Sequence, residues 1–268
     1  MRESLLSYTL HLADTSLILG HRVSEWTGHG PILEQDIALS NMALDQIGQS
    51  RNFYQYAASL YKVLRKSSQP PHFASGAFTL PVTEDSFAYL RDAGEFRNLL
   101  ITELPAGDWG QTVLKLFLVS AFQLLNYEAL LRSSDPHLSA IAEKSSKEVR
   151  YHRRWSAEWV IRLGDGTTES HERMQNALSY LWPYTGEMFR MSPYEKEESA
   201  RHVAPALEEL EVEWQEGVRK TLEEATLEVP DPSSWMHTDG KTGTHTEHLG
   251  ILLAEMQFLQ RAYPGQQW

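Results

Sequence analysis

Carboxylates and histidines at helical spacing are the residues of this chain best suited to chemistry, and that chemistry would be metal-based. A carboxylate-bridged metal pair in a four-helix bundle takes one glutamate from each of two helices and a Glu-x-x-His pair from each of the others. Residues three apart share a helix face, so a carboxylate and an imidazole at that spacing converge on the same ions. Asp14 lies about fifteen residues before the break at Gly28–Gly30 and Asp45 about sixteen after it. At about 1.5 Å per residue the two should stand at similar heights on facing helices. Asp14 shares a face with Leu10, Leu17, Ile18 and His21, and His152 shares one with Leu138, Ala142, Val149 and Trp159.

The ligand set is incomplete. Gly48 stands where Asp45 would need a histidine three residues on, and Val149 where His152 would need a glutamate three residues before. The facing level of the third helix falls near Val119 and Ser120, which supply no carboxylate. Glu128 is about 13 Å further along that helix, too far to share the site. Asp14, Asp45 and His152 are thus residual candidate ligands and not a functional dimetal centre. The competing reading makes both aspartates buried carboxylates held by hydrogen bonds or an ion pair, and His152 a satisfied core histidine.

Other chemistry is thinner still. His245-Thr246-Glu247-His248 opens the last helix with two imidazoles three residues apart, but it is not the His-Glu-x-x-His pattern of zinc hydrolases. A structural or interface role is expected for His245, Glu247 and His248. No nucleophile elbow or phosphate loop occurs, and Gly164-Asp165-Gly166 is a helix stop.

The elements that must position these residues are helices, since apolar residues recur at helical period and no alternating strands stand out. Main helices are expected over Glu3–Trp26, Pro31–Leu64, Trp109–Arg132 and 136–163, the last opened by the Asp135 cap and Pro136. On the second, Ile37, Leu44, Ile47, Tyr54 and Ala58 mark the apolar stripe. Between the hairpins runs a long connection broken by Pro70, Pro71, Gly76 and Pro81, with a short helix over Asp85–Leu100. Further helices are expected over Thr168–Phe189, Ala204–Ala225 and Thr244–Tyr263, with a loop from Pro230 to Gly243. Two long hairpins joined by a crossover are the plan of an all-α, ferritin-like bundle with additional C-terminal helices, read here as one domain over 1–268.

Composition narrows the function classes. An apolar fraction of 41% allows a sizeable core. With 36 acidic against 24 basic residues the net charge is −12, which repels nucleic acid and anionic lipid. The absence of cysteine excludes disulfides, thiolate nucleophiles and cysteine-ligated clusters. No signal-peptide layout opens the chain and no apolar run reaches membrane-spanning length, so a cytoplasmic protein is expected.

Several stretches carry a resemblance to a known family. Gly240-Lys-Thr-Gly-Thr-His-Thr-Glu-His-Leu-Gly250, with Leu253-Ala-Glu-Met-Gln257 and Pro264-Gly-Gln-Gln-Trp268, is similar to the C-subunit family of bacterial 1,2-phenylacetyl-CoA epoxidases. So are Glu34–Asn41, Leu44–Phe53 and Lys147–His152, and the likeness runs across the chain. It implies a ferritin-like structural subunit with no cofactor of its own. Its partner would be the homologous catalytic A subunit, which holds a di-iron centre, with electrons from a reductase. Where that catalytic relative would carry a glutamate, this chain has Val149, so no catalytic residue carries over. Trp26, Trp159, Trp182 and Trp268 are candidate interface anchors. An enzyme with its own degenerate metal site, a CoA-thioester-binding module and a structural homodimer remain the alternatives.

Overall fold

The computed structural model of the protein describes residues 3–66, 82–231, 234–263 and 266. Pro70, Pro71, Gly76 and Pro81 of the expected connection lie outside the described residues, as do Trp268 and most of the terminal motif. The described residues form helices joined by turns and 3-10 segments, with no strand among them, and the fold is all-α and ferritin-like.

Four long helices make the bundle: α1 (Glu3–Ser24), α2 (Leu33–Lys66), α5 (Trp109–Leu130) and α6 (Pro136–Gly164). The short helices α3 (Glu84–Tyr89) and α4 (Leu100–Glu103) fill the connection between α2 and α5. Helix α1 packs chiefly on α2, and α5 on α6. From Ser4 to Gly20 every residue of α1 is buried, as is nearly all of α5. These are the central helices. Helix α5 is the one described helix long and apolar enough to cross a membrane, and its apolar window is mostly buried within the molecule.

Local chemistry sets the helix ends. Asp108 caps α5 by accepting from the Gln111 amide, and Asp135 caps α6 by accepting from His137 and Leu138 ahead of Pro136. Helices α7 (Thr168–Leu181), α8 (Pro193–Ser199), α9 (Leu207–Glu224), α10 (Glu247–Met256) and α11 (Phe258–Ala262) pack around the bundle.

Four expectations need correction here. The short helix expected over Asp85–Leu100 spans only Glu84–Tyr89, followed by a 3-10 turn at Ala93–Glu95 and non-helical backbone up to α4. The stretch expected as one helix over Thr168–Phe189 ends at Leu181 and continues as two 3-10 turns. Helix α8 lies where no helix is expected, although Ser192 and Glu195 form a capping box and Pro193 takes the first helical position. The apolar stripe of α2 is also misassigned in part. Ile37 and Leu44 face solvent, while Leu39, Met42, Phe53 and Ala57 point inward.

The core falls into two apolar clusters at opposite ends of the bundle. One contains Leu10, Phe53, Tyr127 and Val149, and the other Leu19, Met42, Leu118 and Val160. The boundary between them crosses α1 at Ile18–Leu19, α2 between Ala43 and Phe53, α5 at Phe122–Leu124 and α6 between Val149 and Val160. A layer of buried polar side chains occupies that boundary.

Candidate functional site

The polar layer is the place where a ferritin-like bundle would hold metal, and amides fill it. Gln46 of α2 and Gln123 of α5 form a reciprocal pair, each amide nitrogen donating to the other's oxygen at 2.9 and 3.2 Å. Both side chains are buried. Gln46 also stands 3.5 Å from Nδ1 of His152 on α6, and Nε2 of His152 meets Oδ2 of Asp45 at 2.9 Å. Three residues after Gln46, on the same face, Gln49 accepts from the Tyr127 hydroxyl (3.3 Å) and donates to Glu148 (3.0 Å). Tyr127 in turn lies 3.3 Å from the Ser16 hydroxyl, so the layer ties all four bundle helices together.

These side chains do not fit a carboxylate-bridged metal pair. Gln46 and Gln49 occupy the inward i, i+3 positions of α2, and their amide atoms bond neighbouring side chains instead of converging on a vacant point. Val149 brings an apolar side chain beside His152. Among the described residues, no group of three or more histidine, aspartate or glutamate side chains is placed to hold an ion.

The three residual candidates are not brought together. Asp14 bonds Tyr54 at 2.5 Å, which places it about two and a half turns of α2 beyond Asp45. The equal heights expected from a turn centred on Gly28–Gly30 do not occur. Instead the turn residues run back along α2, with Thr27 beside Ser40 and Gly20 against Ala43, Gln46 and Ile47. That slides the register by several residues. Asp14 also accepts from Arg91 Nη1 (3.1 Å), Arg91 Nη2 and the Arg97 amide (2.8 Å). The guanidinium of Arg91, fully buried, donates further to the Phe87 and Glu95 carbonyls. Burial opposes its charge, but Asp14 and Tyr54 outweigh that and hold it above its ordinary value. Burial and the Asp14 charge push the Tyr54 phenol well up.

Asp45 is 38% exposed and caps His152 at the edge of the layer. Gln123, and not Val119 or Ser120, faces the level of His152, while Glu128 turns outward to Arg150 at 2.7 Å. Glutamine at i, i+3 on an otherwise apolar face is the signal that marks the amides.

The residues of the motif around residue 245 are held apart in this fold. Helix α10 begins at Glu247, later than expected, so His245 precedes the helix and does not share a face with His248. His245 is buried between Glu103 Oε1 (3.3 Å) and the Phe96 carbonyl (3.0 Å). Burial opposes protonation of His245, yet Glu103 and the carbonyl raise its affinity for the proton above the ordinary value. Glu247 is exposed, and the His248 carbonyl accepts from Arg22 at 3.3 Å.

Lys241 is the anchor of the same stretch. Its buried ammonium meets both Glu195 oxygens at 3.1 and 3.2 Å and the Met188 and Arg190 carbonyls at 3.1 Å. Burial alone would raise the Glu195 carboxyl, but Lys241 and His11 hold it below the usual carboxylate range. Gly240 donates to Glu187 at 2.6 Å, and a Cβ there would lie 2.8 Å from the Asn98 carbonyl. Gly243 has φ of +95° and backs onto Gly94. The strap thus ties α8 and the 3-10 turns to the segment before α5.

Of the candidate anchors, Trp182 is buried against Trp214, whereas Trp26 and Trp159 are half-buried and pack edge-on against Trp109.

Comparison with known proteins follows the same lines. A family model described as Phenylacetic acid catabolic protein matches residues 1–268. The chain is 42% identical over 266 residues to the C subunit of 1,2-phenylacetyl-CoA epoxidase from Escherichia coli (strain K12), covering 99% of this chain and 100% of that relative.

Proposed function

The chain belongs to the phenylacetic acid catabolic protein family, and from that premise we propose that it is a structural, non-catalytic subunit of a phenylacetyl-CoA epoxidase. Its partner is the homologous catalytic A subunit, which holds the di-iron centre, within a cytoplasmic complex that a reductase supplies with electrons. The observation that carries this reading is the buried Gln46–Gln123 amide pair, which stands 3.5 Å from His152. Amides bonded to each other replace the carboxylates that bridged metals require, and they link α2 to α5 without an ion.

A second observation supports the pairing. Leu33, Ile37 and Leu44 recur at helical spacing on the outer face of α2, and Ile32 precedes them; all four are exposed. An apolar stripe of this kind marks an interaction surface, and obligate interfaces are large and apolar. We assign this face of α2 to the catalytic partner, with Trp26 and Trp159 near the same end of the bundle.

Co-expression with the catalytic partner tests the pairing. A joint peak on size-exclusion chromatography is expected, and Leu44→Asp combined with Ile37→Asp should split it while leaving this chain folded. Separate elution of the two unmodified chains contradicts the proposal.

A further inference from the structure

His245 meets an acceptor on each side of its ring. Nδ1 lies 3.3 Å from Glu103 Oε1, Nε2 lies 3.0 Å from the Phe96 carbonyl oxygen, and the side chain is only 4% exposed. An ionised carboxylate and a carbonyl can only accept, whereas a neutral imidazole carries a single N–H. With Glu103 ionised, both contacts are satisfied only when each ring nitrogen holds a proton. The closed site therefore selects the imidazolium.

The charged groups around the ring come from several elements. Glu103, on α4, is the carboxylate paired with His245 among the described residues. From α1, Arg22 donates to the Glu103 carbonyl at 2.9 Å and to the His248 carbonyl at 3.3 Å. Asp14, also on α1, favours the His245 proton more weakly and is itself paired with Arg91. Before α4, Glu95 accepts from the Asp92 amide and Arg97 lies 5.5 Å over the Tyr194 ring. Glu247, on the segment of His245 itself, is exposed.

This contact stands at the entry to α10, an element with little else to hold it. Only Leu249, Leu252 and Leu253 of that helix are buried. Its far end is fixed by Gln257, which donates to the Ala88 and Arg91 carbonyls at 3.1 and 3.0 Å. A peripheral element with so few buried contacts opens at lower cost than the bundle it rests on.

We propose that His245 is a pH-dependent latch: doubly protonated, it fastens α10 and α11 to α4 and the turn before it, and loss of its proton lets them open while the bundle stays folded. A neutral ring leaves one acceptor facing a lone pair and the Glu103 carboxylate buried without its cation. Because the closed form holds the proton above the ordinary value, the latch contributes fully below pH 6.5 and is lost as pH rises through the closed-form value. Opening adds Leu249, Leu252 and Leu253 to the already exposed Ile251 and Phe258, so pH sets how much apolar surface this end presents. The latch does not depend on the epoxidase assignment.

Hydrogen exchange on the full chain at about pH 6 and about pH 8.5, corrected for the intrinsic rate of each amide, tests it. Protection of the α10 amides should fall by about tenfold or more at the higher pH, one pKa unit being worth a factor of ten. Protection of α5 should not fall. His245→Gln, neutral at both pH values, should abolish the difference in α10. In the wild type, the His245 ring followed by NMR should titrate above 6.5. Equal protection of α10 at the two pH values would overturn the proposal, as would a matching loss in α5. So would a pH difference that survives His245→Gln, or a His245 midpoint at or below 6.5.

Discussion

Asp14 and Arg91 form an ion pair in which neither side chain touches solvent, and together with Tyr54 they pin the connection before α5 to the middle of α1. Removing one partner of such a pair leaves the other charge buried and uncompensated. Asp14→Asn should therefore cost about 3–5 kcal/mol in urea unfolding. The Asp45–His152 contact is partly open to water, and Asp45→Asn should cost less than about 1 kcal/mol. Neither change should remove iron from a complex with the catalytic partner, and loss of that iron from an intact assembly would contradict the structural role of both residues.

The amide pair makes a separate prediction. Gln123→Leu strands the buried Gln46 amide and should destabilise the chain by about 1–3 kcal/mol. Adding Gln46→Leu removes the stranded group, so the double variant should lie closer to the wild type than the sum of the two single changes. Additive losses in a double-mutant cycle would mean that the two amides do not act as a pair.

Much of this arrangement is legible in the sequence. Helical period, the Asp135 cap and the interruption at Gly28–Pro31 locate the four long helices to within a few residues, whereas the Asp108 cap of α5 is found only in the structure. Register is not legible. Counting outward from a turn assumes that the chain reverses at its glycines, whereas residues 25–29 extend the line of α1 beside Ser40. Asp14 and Asp45 therefore count to one height, although Asp14 meets α2 at Tyr54 and not at Asp45. Tertiary context also decides the fates of Ile37 and Leu44, since helical period alone cannot say which of two apolar faces on α2 meets water. Helix α8 is seven residues long, short enough that only its capping box announces it.

Lys241 gives a prediction with a defined pH window. Lys241→Met leaves Glu195 buried without its cation and should cost about 3–5 kcal/mol near neutral pH. Because the folded carboxyl titrates below its ordinary value, its contribution is complete above the unfolded pKa of 4.5 and is lost as pH falls through the folded pKa. The stability gap between wild type and variant should narrow below pH 4.5. A gap unchanged in acid would show that the ion pair is not its source.

Lys115 gives a pH effect of the same sign in a higher window. Its ammonium is buried on α5 against the Leu104 and Pro105 carbonyls, and burial, with Arg22 nearby, lowers its pKa to about 7. Between that value and 10.5 the unfolded chain binds the proton more strongly than the folded one. Stability should therefore rise with pH across this window. Comparing wild type with Lys115→Met from about pH 7 to about 9.5 isolates this effect, because ordinary tyrosines titrate only above that range. The expected difference is a wild-type gain of a few kcal/mol at most, and parallel curves would contradict it.

Metal content tests the central claim most directly. The chain is purified alone, loaded with ferrous iron, desalted and assayed for iron, then compared with this chain co-expressed with the proposed catalytic partner. The expected result is iron retained only in the complex, together with a melting temperature of the lone chain that a chelator does not shift. Stoichiometric iron retained by the lone chain, lowered by Gln46→Leu or by His152→Leu, would contradict the proposal and make this chain a metal protein in its own right.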